Sequence, residues 1–580
     1  MSTRTNANAL TPSKFCYELD KASYTCEDYF FMNNNKEMRA CKNPTDTSDP
    51  NCDSADPVPC EFLPPGPPPS PIQPFVVETS DNCQVFLTER ECRLKAEHLG
   101  WILTVSSSSI EPPGCYSNPV VSGTYFYNTN MSSTASCADS IQRFCLCGAG
   151  PPALPSPASP PASPPPAEWV QIGSNINGDA TYDYSGYTIS MSDDGTVIAI
   201  GAHGHAGSAG SNAGQVRVFK LSGSPDGTGT WVQRGADLDG PQEAAYFSRC
   251  VAINGDGTVM AVGIPSYDDS GMSDVGSVRV YVWNGNSWNI RGLPIIGEAE
   301  GDQFGFSVDI SNDGSIVVIG AYRNDGQAGY YMHAGHVRAY RWYGGSWTQR
   351  GSDIDGERAS DYSGYDVSCN SDCSRIVIGA YGNDDAGNGA GQARVYQYSN
   401  TLSRWDKLGG DIDGLAASDQ SGRSVAMDAS GNNIVIGAYG HFGPNGAGGT
   451  WSQSGLVRVM TWDSSSYTWV QKGGNIYGEG LANWNGWAVE INADASVVIA
   501  SATRNNDVAD KAGHVRVFAF DSATSTWVQR GSSIEGLAKD DYFGYSVAIS
   551  ADGNTIAAGS HYQDTNGASS GQVRLFHYPA

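Results

Sequence analysis

From residue 168 onward the chain is written in short alternating runs. Val, Ile and aromatic residues trade places with polar neighbours at every second position, and Gly, Asp and Ser break the runs every few residues. Trp527-Val-Gln-Arg-Gly531, Tyr545-Ser-Val-Ala-Ile-Ser550, Thr555-Ile-Ala-Ala-Gly559 and Val573-Arg-Leu-Phe576 show the four kinds of run. Period-two alternation between turn-forming clusters predicts β-strands. Asp313-Gly314 and Asp552-Gly553 stand where a tight hairpin needs positive φ. No stretch of this region carries a helical stripe.

The four runs recur as a unit that opens on Trp169, Trp231, Trp288, Trp347, Trp405, Trp469 and Trp527, 57 to 64 residues apart. Four antiparallel strands repeated seven times predict a seven-bladed β-propeller. An open solenoid is also a stack of repeats, and the ends of the array separate the two. The array begins with a lone Trp strand, Trp169-Val-Gln-Ile-Gly173, and finishes at Phe576-His577-Tyr578, one Trp strand short of a full blade. The spare strand is expected to complete the last blade, which closes the ring and leaves no free sheet edge.

Ahead of the array the pattern changes to cysteine and proline. Eleven of fourteen cysteines precede residue 150. The predicted organisation is a Cys-rich module over 1–63, a Pro-rich linker over 64–74, a second Cys-rich module over 75–150, a Pro/Ser-rich linker over 151–167 and the propeller over 168–580. Small Cys-dense modules fold on disulfides and imply an oxidising compartment. Cys83, Cys92, Cys115, Cys137, Cys145 and Cys147 are the disulfide candidates of the second module, with the pairing open. Cys369-Asn-Ser-Asp-Cys373 brackets a hairpin in the fourth repeat and predicts a local disulfide. Asn130-Met-Ser132 is an N-glycosylation sequon. The first module reads as a shortened copy of the second: Phe15-Cys16-Tyr17 matches Gly114-Cys115-Tyr116, and no counterpart of Cys83 to Cys92 precedes it. A start inside a module, with any signal peptide upstream, is therefore expected, and with it a secreted or cell-surface location. The Pro-rich runs favour extended polyproline II spacers.

Charge narrows the partners. A net charge of −27 argues against nucleic acid or an anionic membrane. No apolar run approaches the length of a bilayer span.

Phe304-Gly305 and Phe543-Gly544 precede the alternating strand in two repeats, and Gly186, Gly364 and Gly422 carry a Ser-Gly version. Gly320-Ala321-Tyr322, Gly379-Ala380-Tyr381 and Gly437-Ala438-Tyr439 follow, and Gly263-Ile264-Pro265 keeps a Pro. In these motifs the repeats resemble FG-GAP repeats, the blade unit of integrin α-subunit propellers, and above all the variant in bacterial and algal surface proteins. The second Cys module is similar to small modules of secreted algal proteins, and the Pro-rich runs to glycosylated linkers of algal wall proteins. The FG-GAP resemblance implies a propeller; function belongs to sites. Calcium-binding members carry a long D-x-D-x-D-G loop between the first two blade strands. Here that loop is only Ser-Asp-Asp-Gly (192–195), Ser-Asn-Asp-Gly (311–314) or Ser-Ala-Asp-Gly (550–553), too short to wrap an ion. No metal site and no cofactor are expected from these loops, with calcium left open as the ion of the family that the repeats resemble.

Antiparallel order places two loops of each repeat on one face: the loop leading into the alternating strand and the loop leaving the next one. The lead-in loops repeat Asp183, Asp302, Asp361, Asp419 and Asp541, and the exit loops add Asp268, Asp325, Asp384 and Asp564. Either a ring of carboxylates surrounds a mouth, or each Asp caps its own loop as Asp does in Asx-turns. His203, His205, His441 and His561 lie in exit loops and read as solvated histidines rather than a metal set. Trp451, Trp484 and Trp487 break the repeat pattern on this face and suit stacking on sugar rings or anchoring a partner. Arg217, Arg279, Arg338, Arg394, Arg458, Arg516 and Arg574 recur at one strand position, which predicts structural pairing with neighbouring Asp. No catalytic motif stands in a supporting context. The expectation is a non-enzymatic extracellular binding, adhesion or matrix protein that presents the propeller face to a protein or glycan of a wall or matrix. The alternative is a secreted propeller hydrolase or lyase acting on polysaccharide.

Overall fold

The computed structural model describes residues 167–326, 331–445 and 449–579, together with the backbone of seven short strands before residue 150. It divides into two compact units, Met1–Pro161 and Ala162–Ala580. In the first unit a Tyr29–Met32/Met38–Cys41 hairpin is followed by a five-stranded sheet. Its order is Phe75–Glu78, Phe144–Gly148, Gly114–Ser117, Thr124–Asn128, Ile102–Ser106. Cys83, Cys92, Cys137 and Asn130 lie outside the described residues, as do the side chains of Cys115, Cys145 and Cys147.

The second unit is seven antiparallel blades, with no helix among the described residues. Blade one is Thr188–Met191, Val197–Ala202, Gln215–Ser222 and Thr230–Gln233, from the centre outward, with Leu238–Asp239 returning to pair with the third strand. Blade seven is Val547–Ile549, Thr555–Ser560 and Gln572–His577, completed by Val170–Gln171 and Ile176–Asn177 from the start of the array. Phe576 pairs with Gln171 and Val573 with Ile176, so the spare strand does close the ring. Each blade is thus offset by one strand from the repeat read in the sequence: the Trp that opens a repeat sits on the outermost strand of the blade before it.

Each repeating residue has a physical reason. All seven recurring Trp donate their indole N–H to a backbone carbonyl just past the outer strand of the preceding blade, at 2.7 to 3.2 Å. The recurring arginines are also staples between blades. Arg217, Arg394, Arg458 and Arg516 donate to the carbonyls of Asn177, Asp355, Asp413 and Tyr477 on the preceding blade at 2.6 to 3.1 Å. Acidic neighbours join in four blades, through Asp179, Glu298, Glu357 and Glu479. The Ser-Gly version of the Phe-Gly pair follows from this clamp: Ser185, Ser363 and Ser421 accept from Arg217, Arg394 and Arg458. Where Phe304 and Phe543 stand instead, they are fully buried core residues, and the Arg574 guanidinium lies over the Phe543 ring. Sheet-to-sheet cores of Val, Ile and Ala fill each junction between blades.

The hairpin face is closed by a ring of backbone hydrogen bonds. The second turn residue of every blade donates its N–H to the same residue of the next: Asp193 to Gly255, then Asn312, Ser371, Ala429, Ala493, Ala551 and back to Asp193, at 2.8 to 3.2 Å. Cys369 and Cys373 form the predicted hairpin disulfide beside this collar.

Candidate functional site

The opposite face holds the loops singled out from the sequence. The five lead-in aspartates do not present free carboxylates to a mouth. Asp183, Asp302, Asp361, Asp419 and Asp541 are 1 to 3% exposed. Each accepts the backbone N–H three residues earlier, Ala180, Ala299, Arg358, Ala416 or Ala538, at 2.8 to 3.2 Å. The positive φ of Tyr182 and Tyr184 (64° and 57°) shows the tight winding that turns the first of these carboxylates inward. His205 and His441 bond Asp183 and Asp419 at 3.1 and 2.9 Å, in the place where Asn324 and Asn383 hold Asp302 and Asp361. The Asp183 hydrogen bond holds the His205 pKa above its usual value. The exit-loop aspartates are exposed, and each gives one oxygen to its own loop: Asp268 to Asp274 N–H, Asp325 to His333, Asp384 to Gly389 and Asp564 to Ser569.

What lines the mouth is the residue after each Phe-Gly, Ser-Gly or related pair, a position from which the sequence reading picked out Trp487 alone. These seven side chains form a closed ring of contacts. Tyr187 lies under the Arg249 guanidinium (4.5 Å to the ring centroid), and Arg249 also covers Phe306 (4.1 Å). Phe306 meets Tyr365 (4.9 Å), Arg423 lies over Tyr365 and Trp487 (5.4 and 3.4 Å), Trp487 meets Tyr545 (5.3 Å), and Tyr545 returns to Tyr187 (4.8 Å). Six of the seven are half-buried and Phe306 is buried, so the ring floors the mouth.

A second tier stands on it. Trp484 stacks on Trp487 (5.2 Å, 9° between planes), Arg504 covers Trp484 at 3.5 Å, and Tyr439 packs edge-on to both indoles. Tyr362 stacks on Tyr381 (5.2 Å, 7°). His203 and His561 are inserted among the tyrosines, at 4.1 Å from Tyr187 and 3.9 Å from Tyr545. They are not solvated. Burial, with the charge of Arg249, pushes the His203 pKa down to about 3, and burial, with the charges of His203 and Arg249, pushes His561 well below its usual value. Both are neutral, and Nδ1 of each lacks a partner. Of the three pattern-breaking tryptophans, Trp484 and Trp487 are brought together here. Trp451 lies on an extra ribbon, Gly443–Pro444 with Thr450–Trp451, in the exit loop of blade five.

Behind the floor the inner strands line a channel. Their channel-facing side chains cap the edge N–H groups of the next blade: Thr188 accepts from Val251, Asp309 from Cys369 (2.7 Å), Asp366 from Val425 (2.8 Å) and Ser424 from Val489. Cys250 belongs to this set, its Sγ 3.4 Å from the Val308 N–H; burial pushes its thiol up to about 12. Asp309, Asp366 and Glu490 place three carboxylates in the channel. Burial raises them to about 6, 7 and 8, and the charges of Asp309 and Asp366 add to the rise at Glu490.

Two other groups bring metal-ligating atoms within 4.8 Å: Glu298, His336 and Asp353, and Glu479, Asp507 and His514. In the first, Arg338 bridges both carboxylates and supplies the positive charge a cation would. In the second, Arg516 holds Glu479 at 3.1 Å. The hairpin aspartates spend their oxygens on their own turns, as Asp194 does on Ser192 and Thr196.

The FG-GAP repeat family model matches residues 297–336 and 535–576, the two segments that run from the lead-in loop through Phe304-Gly305 and Phe543-Gly544 to the third strand. A comparison with curated proteins finds no match. The chain carries FG-GAP repeats, and they build a seven-bladed β-propeller.

Proposed function

We propose that this chain is an extracellular, non-enzymatic binding protein of adhesion or matrix type, and that the mouth of the propeller takes a glycan or protein partner. The stacked Trp484–Trp487 pair, framed by Tyr439, Arg423 and Arg504, carries the reading. Each indole has one face on the other and one under a guanidinium, so the half-exposed pair offers its ring edges with the Arg423 and Arg504 forks beside them, a combination that suits the polar edge of a sugar or an anchoring side chain. The FG-GAP propeller fits a binding or adhesion role. The Cys-rich modules and Pro-rich spacers would hold the disc off a wall or sheath.

The test is binding of the whole chain to a panel of oligosaccharides and matrix proteins, with product release followed in parallel. Trp484→Ala is expected to weaken binding about tenfold while leaving the melting temperature close to that of the parent, since Trp484 packs on the mouth surface rather than in a blade core. Unchanged affinity for every ligand bound would sink the reading. Release of a shortened glycan would replace it with a polysaccharide hydrolase or lyase.

A further inference from the structure

Arginine is used in two ways in this propeller. The recurring third-strand residues Arg217, Arg338, Arg394 and Arg516 are tied to carbonyls, hydroxyls or carboxylates. The two arginines of the mouth floor are not. Arg249 lies between Tyr187 and Phe306 and makes no side-chain hydrogen bond or ion pair with any described residue. Arg423 uses a single donor, Nη1 to the Trp487 carbonyl at 3.0 Å. Each guanidinium has five N–H donors and stays charged at any ordinary pH. A half-buried cation with no counter-charge is unfavourable unless something satisfies it. Aromatic faces give it partial compensation, and they leave its N–H edges free.

The surroundings say what kind of anion fits. The floor around the two cations is aromatic and dotted with hydroxyls, and His203 and His561 add unpartnered Nδ1 atoms without adding charge. Flat rings stack on the C–H face of a sugar, and a guanidinium fork matches a carboxylate or a sulfate ester. A densely charged phosphodiester chain fits badly: the exposed rim aspartates Asp268, Asp325, Asp384 and Asp564 and the net charge of −27 oppose it. A sparsely charged glycan passes that rim, because fields from exposed groups decay over roughly 8 Å in physiological salt.

We propose that the mouth recognises an acidic polysaccharide, with a sugar-borne carboxylate or sulfate on Arg249 and Arg423 and the neighbouring ring against the half-exposed aromatic edges of the floor. This rests on the binding function proposed above and names its ligand class. It reverses the sign expected from the recurring aspartates: the ligand brings the negative charge.

The experiment is calorimetric titration of the full chain with matched oligosaccharides: uronate-bearing, its carboxyl-reduced form, sulfated, and its desulfated form. The acidic member of at least one pair is expected to bind roughly tenfold to a hundredfold tighter than its neutral partner, and which pair does so identifies the anion. Arg249→Met is expected to erase that preference, and Arg249→Lys to keep part of it, since the charge remains and the fork is lost. Thermal melts report whether each variant is folded; if Arg249→Met is not, the Lys variant and the acidic-to-neutral ratio carry the test. Neutral and acidic partners binding equally would overturn the proposal and leave the binding function standing. Equal affinity for single-stranded DNA of matched length would overturn it as mere charge attraction. Failure of every glycan, with a matrix protein bound instead, would overturn it and leave only the protein arm of the proposed function.

Discussion

Both ends of the central channel are closed by rings of seven, and the rings are made of different atoms. At the hairpin end the ring is backbone: seven N–H groups donate to seven carbonyls, with side chains at those positions as different as Gly255, Asp193 and Asn312, the last two bonded to each other at 2.7 Å. At the mouth the ring is side chain: Tyr187, Arg249, Phe306, Tyr365, Arg423, Trp487 and Tyr545 touch one another directly, and each identity sets the local chemistry. Sequence variation inside a repeat therefore has two meanings. Where the backbone makes the contact, the bond itself does not depend on which side chain the position carries. Where side chains make it, variation is the site.

The largest expected effect breaks the frame that holds the mouth ring. Gly422 precedes Arg423 at φ +82°, and a Cβ there would lie 2.2 Å from the Gln392 carbonyl oxygen. The close approach is to backbone, so no rotamer change relieves it. Gly422→Ala is expected to destabilise by about 3 kcal/mol, read as a lower urea midpoint, and to displace Arg423 from Trp487, read in indole fluorescence. A midpoint within error of the parent would show that the mouth backbone tolerates a side chain after all.

A smaller effect is expected at the hairpin end. Ala551 is the second residue of the Ser550–Gly553 turn, a position that suits proline. Its N–H closes the collar from blade seven to blade one, onto Asp193 O at 2.8 Å. Ala551→Pro keeps the turn, deletes the donor and brings ring atoms against that oxygen; about 1 to 2 kcal/mol of stability is lost. Ala551→Ser keeps the donor and is expected to stay within about 0.5 kcal/mol of the parent. If the two variants melted alike, the collar would contribute nothing and the contrast between the rings would fail at this end.

These two positions also mark how far the sequence could be read. Alternation, turn residues and the Trp period foretold the strands and the count of blades, and the orphan Trp169 strand foretold closure, because each depends on local pattern. The mouth ring does not. Its members are about 60 residues apart, and a reading by repeats discards the residue that differs after each recurring Gly. Packing of neighbouring blades brings Arg249 against Phe306 and Arg423 against Trp487, and closure of the ring brings Tyr545 against Tyr187. The recurring aspartates follow the second of their two readings, the loop cap, for the converse reason. They repeat because every lead-in loop needs the same cap, and the carboxylate of Asp419 meets the Leu415 and Ala416 N–H groups rather than the mouth. The pairing expected for the recurring arginines held in part: four blades use an acid, and Arg217, Arg394, Arg458, Arg516 and Arg574 take a carbonyl one blade away. A signal was present in one case, since His205 and His441 occupy the position held elsewhere by Asn324 and Asn383, the residues that bind the same Asp.

A pH-dependent effect lies between the two rings and separates their electrostatics. Glu490 points into the channel, away from Val489 and Ile491 in the core. Burial, with the charges of Asp309 and Asp366, raises it to about 8 from an ordinary 4.5. The folded chain thus keeps a proton that the unfolded chain releases, so stability is full below pH 4.5, falls as pH rises toward 8 and levels above it. Glu490→Gln carries no ionisable proton and removes this share of the slope. Its melting curve is expected to match that of the parent near pH 4 and to lie above it from pH 8 upward. Parallel curves across that range would mean that Glu490 reaches water and ionises freely. The mouth cations themselves do not titrate, because Arg249 and Arg423 hold their charge throughout this range. The carboxylates behind them do, and Asp366 acts on Arg423 directly, so affinity for an acidic sugar is expected to fall across the same interval in which the disc loses stability.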